Sequence, residues 1–131
     1  MNPLLQLVLY MALLTWACVM AASLLRSRSW TAAGMTLALG NRETMPPATG
    51  LAGRAERTAR NTVDNFVLFA AIALVAQAAG VLTPRVLTGA QLFFWARVVY
   101  VPVYWAGIPL LRTGVWAASI AGLVMMLSAL L

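Results

Sequence analysis

The chain has 131 residues, 63% of them hydrophobic and only 9% charged, against about 25% charged in an ordinary soluble domain. That composition argues against a soluble globular protein and leaves room for about four membrane spans of roughly 20 residues each, with no length for a second domain. The formal net charge is +6, all nine basic residues are arginine, histidine is absent, and the one cysteine, Cys18, lies in an apolar run. An intrachain disulfide is thereby excluded, and no metal-ligand spacing exists.

The first span is expected at about Leu4 to Leu25. It carries no charge and ends at Arg26 and Arg28. Basic residues follow the apolar run instead of preceding it, and the run is long enough to cross a bilayer, so it reads as a retained helix and not a cleaved signal. Residues 26–53 are mostly polar, Ala, Gly and Pro. GNRETMPPATGLAG reads as a loop, and the short apolar patch Trp30 to Leu39 as a segment at the membrane interface, with Trp30 at headgroup depth.

The second span is expected at about Thr62 to Leu82, on a helix that begins near Leu51 and runs through the charged stretch. Thr83-Pro84 marks a tight turn. The third span, about Leu87 to Ala106, contains Pro102, which predicts a kink. GIPLLRTG (107–114) is the next break, and the fourth span runs from about Val115 to Leu131.

Six arginines lie between spans one and two, and Arg112 lies between spans three and four. Those connections share one side of the membrane, and the other side has only Arg85. The positive-inside rule puts the arginine-rich side in the cytoplasm and both termini outside. Positive charge that sits mostly at membrane edges and not on a free basic face argues against a nucleic-acid partner. The preference for arginine over lysine suits forked binding of carboxylate or phosphate, though nucleotide composition produces the same bias.

Residues 54–66, RAERTARNTVDNF, concentrate charge at the edge of the second span. At about 100° per residue, Arg54, Arg57, Asn61 and Asp64 fall on one stripe roughly 80° wide. Arg60 and Asp64 form an i,i+4 pair on its flank. Asp64 is costly at the membrane edge without a partner. The plainer alternative makes the arginines interfacial anchors, with Asp64 paired to Arg60 or Arg57 and Asn61 bonded to another helix. Anchors would spread around the helix, and the stripe does not.

In the third span Arg97, Tyr100 and Tyr104 share a face by their spacing, and Arg112 follows past the break. An aromatic belt accounts for the tyrosines, but not for an arginine at mid-span depth, which needs a protein partner or a water-filled cavity. Asp64 and Glu56 are the expected partners. Together these residues predict a polar pocket near the cytoplasmic face, suited to a zwitterionic or polycarboxylate ligand.

RAERTARNTVDNFVLFAA resembles the signature region of the MAPEG superfamily, membrane-associated proteins in eicosanoid and glutathione metabolism. The family pattern of Arg, three residues, Asn, two residues and an acid is met by Arg57, Asn61 and Asp64. RVVYVPVYWAGIPLLRTGVW resembles the family's third-helix tyrosines and following arginine, and GNRE looks like its bacterial branch. The resemblance implies an all-α, four-helix integral membrane bundle, a homotrimer, in a bacterial inner membrane. It implies glutathione as co-substrate and a lipophilic small molecule reaching the site from the bilayer. By position, Arg57, Asn61 and Asp64 would hold glutathione, Tyr100 and Tyr104 would line the site with Arg97 in support, and Arg112 would stabilise the thiolate. Arg28 or Arg26 would reach the ligand from the adjacent subunit. Asp64 stands where the family usually has Glu, and Asn65 where some members have Tyr.

Three functions follow from these readings. The first is a glutathione-dependent transferase or peroxidase acting on a lipophilic electrophile. The second is a non-catalytic protein of the same fold that binds a lipid or small anion. The third, a small multidrug transporter, fits the size but lacks the acid in the first helix on which such transporters rely.

Overall fold

Five helices form the chain in the computed structural model, which describes residues 1–42 and 45–131. Each begins or ends where local chemistry requires it. Helix α1 (Pro3–Ser27) opens on Asn2, whose side-chain oxygen accepts from the Leu5 amide at 2.9 Å, with Pro3 in the first turn. It closes at Arg28, which takes a left-handed conformation at φ 53°. Helix α2 (Ala32–Leu39) occupies the expected interfacial patch and is capped by the Thr31 hydroxyl on the Gly34 amide.

Helix α3 (Gly50–Ala79) runs unbroken for 30 residues, about 45 Å at 1.5 Å per residue. That exceeds the roughly 30 Å hydrocarbon layer. Its first turns, with Arg54, Arg57 and Arg60, therefore form a charged extension of the span. The helix stops at Gly80, earlier than Thr83-Pro84, because the Gly80 and Val81 amides turn back onto the carbonyls of Ala76 and Gln77.

Helix α4 (Pro84–Ala106) starts under a Thr83 cap and continues through Pro102 to Gly107. Helix α5 (Pro109–Leu130) begins immediately after the pair Gly107–Ile108. The break expected over 107–114 is thus only two residues long. Proline suits the first position of a helix, so Pro109 opens α5 instead of ending a loop, and Arg112 stands on the first turn of a helix.

Four of the helices are long and apolar enough to cross a membrane. The closest pairings are α1 with α3 and α4 with α5. Helix α4 touches all three of the other long helices, and α1 and α5 do not meet among the described residues. The main core combines Leu4, Met11, Phe69, Val86, Phe93 and Met126, each fully buried. Phe69 stacks on Phe93 at 4.5 Å between centroids, the rings 6° from parallel. At the arginine-rich end the core narrows to Cys18, Ala22, Ala55 and Ala59, small residues that bring α1 and α3 close.

One crossing fixes α5 against α4. A Cβ on Gly122 would lie 2.5 Å from the Gly89 carbonyl oxygen, and one on Gly89 would lie 2.6 Å from the Gly122 carbonyl oxygen. Gly34 does the same for α2: a Cβ there would lie 1.9 Å from the Arg28 carbonyl oxygen, so only glycine lets α2 fold back onto the end of α1. The outward faces are apolar, with Leu13 61%, Trp16 64%, Val67 61% and Val124 57% exposed. Surfaces of that kind belong against lipid or another subunit.

Candidate functional site: an arginine–tyrosine cavity at the membrane edge

The start of α3, the end of α4 and the start of α5 meet at the arginine-rich end of the bundle. Arg54 explains the local geometry. Its Nε donates to the Trp105 carbonyl at 2.8 Å, one of the carbonyls left open as α4 ends. A cation at a helix C-terminus is favourable, so this contact fixes the register of α3 against α4.

One turn along the stripe, Arg57 Nε donates to the Tyr104 hydroxyl at 3.1 Å. The Tyr104 ring also carries two guanidinium groups near it, Arg112 at 4.7 Å and Arg57 at 6.0 Å from its centroid. Tyr100 meets Tyr104 edge to face at 5.6 Å. Behind Tyr100, the Arg97 guanidinium lies 4.0 Å from the Tyr100 centroid. Two edge-to-face phenol rings thus lie between the buried Arg97 guanidinium and those of Arg112 and Arg57, each arginine within cation–π range of one ring.

This array lines a cavity of about 340 Å³ bounded by Arg57, Arg60, Asn61, Asp64, Tyr100, Tyr104 and Arg112. An adjoining cavity of about 160 Å³ shares Asn61, Tyr100 and Arg112 and adds Thr113 and Trp116. Asn61 is oriented from within its own helix: Asn65 Nδ2 donates to its carbonyl at 2.9 Å and to its side-chain oxygen at 3.2 Å. The Asn61 amide protons are therefore left for the cavity.

Of the residues singled out by the sequence, Arg57, Asn61, Asp64, Tyr100, Tyr104 and Arg112 line one cavity. Arg97 does not reach it. It is fully buried, its Nη2 donates to the Thr62 hydroxyl at 2.8 Å, and its Nε and Nη1 have no hydrogen-bond partner among the described residues. It supports Tyr100 from behind. Arg28 lies elsewhere in the chain, in a separate cavity with Arg26 and Trp30.

Two expected ion pairs do not form among the described residues. Arg60 pairs at 3.6 Å with Glu56 and not with Asp64. Both acids are four residues away, but an acid N-terminal to its base is the better orientation on a helix. Glu56 also takes Arg26 Nη1 at 2.8 Å, and Arg26 Nε donates to the Pro46 carbonyl at 2.7 Å. Neither Glu56 nor Asp64 is the partner of Arg97. Thr62 is buried on the inner face of α3, while Asp64, about 200° further round the helix, is on the exposed side.

The sequence reading missed Thr62 as the partner of Arg97, Arg60 as a cavity residue, and Trp116. Thr62 was detectable. Residues 55, 58, 59, 62, 65 and 69 are the buried face of α3 and recur at helical spacing. Trp116 lies four residues after Arg112 and shares its face, but this is visible only once α5 is known to begin at Pro109.

A family model described as the MAPEG family matches residues 3–131, essentially the whole chain. No curated protein and no solved structure matches it significantly.

Proposed function

We propose, starting from a chain that belongs to the MAPEG family, that the arginine–tyrosine cavity binds glutathione and presents its sulfur to a lipophilic electrophile or hydroperoxide drawn from the bilayer. The family includes glutathione transferases and peroxidases as well as non-catalytic members, so the activity itself is our reading. The observation that carries it is the donor set of the cavity: three arginines, one amide, one carboxylate and two phenols around about 340 Å³. Glutathione offers two carboxylates, one ammonium and one thiol. Arg57 and Arg60 are suited to fork onto carboxylates, Asp64 to hold the ammonium, and Asn61 to bond a peptide group.

Arg112 and Tyr104 are the catalytic residues of this proposal. A guanidinium near the sulfur favours the thiolate, which is the nucleophile. The Tyr104 oxygen already accepts from Arg57, so its own proton is free to point into the cavity and to bond the thiolate or the oxygen that leaves. In a transfer, the sulfur forms a bond to the electrophilic carbon, and the pair of electrons leaves with the displaced group. With no histidine in the chain, the thiol proton goes to solvent at this membrane-edge site.

A homotrimer belongs to the same proposal. The cavity is bounded on one side by exposed residues of α3, Arg57, Arg60 and Asp64, where a neighbouring subunit would close it. The excess of arginine at this end favours a cytoplasmic placement with both termini outside, and a bacterial inner membrane belongs to the same proposal, resting on the family resemblance of GNRE. The alternative is a non-catalytic protein of the family that holds a lipid or small anion. Asp64 favours it, since its carboxylate reaches one methylene less far than the Glu usual at this position.

Turnover in liposomes separates the two readings. Conjugation of glutathione to an aryl halide and reduction of a lipid hydroperoxide are followed in wild type and Arg112→Ala. The catalytic reading expects wild-type turnover that falls about 100-fold in the variant, the order seen when one electrostatic catalytic donor is removed. Glutathione binding without turnover across several electrophile classes would establish the non-catalytic reading.

A further inference from the structure

At the same membrane edge, beside the end of α1, lies a cavity of about 630 Å³, larger than the one around Tyr104. The two cavities have no residue in common. This second cavity is walled on one side by Leu25, Arg26, Arg28 and Trp30, and on the other by Pro46, Pro47 and Leu51. We propose that it is a binding site for the headgroup of an anionic phospholipid.

Four observations converge on that occupant. Two arginines face the cavity, and they differ in their engagement. Arg26 is held by Glu56 and by the Pro46 carbonyl, which ties α1, the loop and α3 into a rigid floor. Arg28 is exposed, and no hydrogen bond or ion pair of its side chain is found among the described residues. A guanidinium in that condition offers its full fork to a phosphate.

The backbone gives the second observation. Arg28 closes α1 in the left-handed region at φ 53°, where glycine is the usual residue and a side chain is strained. A position that glycine would fill without strain here carries an arginine aimed into a cavity. Strain of this kind concentrates at functional sites.

The third is the amphipathic lining. Trp30, 67% exposed, is of the residue type that favours the headgroup layer. Leu25 and Leu51 line the same cavity, so a purely polar ligand would leave apolar walls uncovered. A ligand with a phosphate at one end and acyl chains at the other satisfies both. The fourth is the rest of the lining. Pro46 and Pro47 offer no amide protons, while Thr49, whose hydroxyl makes no cap hydrogen bond at the start of α3, lines the same cavity as a further anion donor beside the arginines. Basic pockets beside transmembrane helices on the arginine-rich side are the kind that hold anionic headgroups.

The test is a thermal melt of the detergent-purified full chain, titrated with short-chain phosphatidylglycerol, with phosphatidylcholine of the same chains, and with inorganic phosphate. Phosphatidylglycerol is expected to raise the melting temperature saturably by several degrees, and the other two probes to leave it within a degree. Arg28→Gln is expected to abolish the shift, Arg28→Lys to keep part of it, and Arg85→Gln, at the opposite rim, to keep all of it. If Arg28→Gln does not fold, as judged by loss of helical circular dichroism, Trp30→Ala takes its place and is expected to weaken the apparent lipid affinity about tenfold. Three results overturn the proposal. One is an equal shift with phosphatidylcholine or inorganic phosphate. Another is a shift that Arg85→Gln removes as fully as Arg28→Gln, which means diffuse attraction. The third is an unchanged lipid shift in Arg28→Gln with lost glutathione affinity, which reassigns Arg28 to the thiol site of a neighbouring subunit.

Discussion

Tyr104 is the point on which the candidate site turns, and two substitutions separate its parts. Tyr104→Phe removes the hydroxyl that accepts from Arg57 Nε at 3.1 Å and leaves the ring in place. A hydrogen bond to a charged group contributes about 1.5–3 kcal/mol when buried. Arg57 is exposed, so solvent screening reduces this to about 1 kcal/mol. The variant should therefore bind glutathione about fivefold more weakly. Tyr104→Leu also removes the ring beneath Arg112, at 4.7 Å, and beneath Arg57, at 6.0 Å. Exposed cation–π contacts contribute about 0.5–1 kcal/mol each. The total becomes about 2–3 kcal/mol, a loss of roughly 30- to 150-fold. Calorimetry on both variants in detergent measures the two steps. Equal affinity in the two variants would refute the reasoning, because the ring would then hold nothing.

Further outcomes follow from neighbouring residues. Asp64→Ala should weaken glutathione binding about tenfold by removing the only carboxylate that lines the cavity among the described residues, while Asp64→Glu extends the carboxylate by one methylene and should bind as tightly as wild type or tighter; calorimetry reads both. Arg97→Met should leave the melting temperature unchanged or raised, because two guanidinium nitrogens are buried without hydrogen-bond partners among the described residues and an apolar side chain of similar length removes that cost. The same variant should lose glutathione affinity severalfold as Tyr100 loses its support. Gly122→Ala should lower the melting temperature by several degrees, since its Cβ would meet the Gly89 carbonyl oxygen at 2.5 Å and overpacking of this kind costs about 1–3 kcal/mol; a melt in detergent checks it.

The sequence revealed more of the site than of its connections. The Arg54–Asp64 stripe needed only the period of the helix, and the structure turns Arg54 and Arg57 toward the end of α4. Tyr100, Tyr104 and Arg112 likewise followed from spacing and now line the same cavity. What could not be read depends on long-range contacts. Arg60 has an acid four residues away in each direction, and the spacing alone does not choose between them. The choice of Glu56 reflects both helix orientation and the arrival of Arg26 from α1. Arg97 was assigned a carboxylate because a buried cation usually has one. It makes do with a hydroxyl and a ring, which no local pattern announces. Gly89 and Gly122 belong to a contact between two helices, and neither looks unusual in its own segment.

The two anionic ligands proposed here share a membrane edge but use different arginines. Arg57, Arg60 and Arg112 surround the cavity beside Tyr104, and Arg26 and Arg28 surround the one beside Trp30. Glu56 connects them, since it binds Arg26 on one side and Arg60 on the other. Its single negative charge offsets part of the repulsion between the two sets across the α1–α3 contact.

The measurement that tests the account most directly is calorimetric titration of glutathione into the detergent-purified protein, with Arg57→Ala alongside. Saturable binding that the variant loses by at least tenfold, with its helical signal intact, is the predicted result. Absence of heat at millimolar glutathione in the wild type, or equal affinity in the folded variant, would contradict the assignment of the arginine–tyrosine cavity to that ligand.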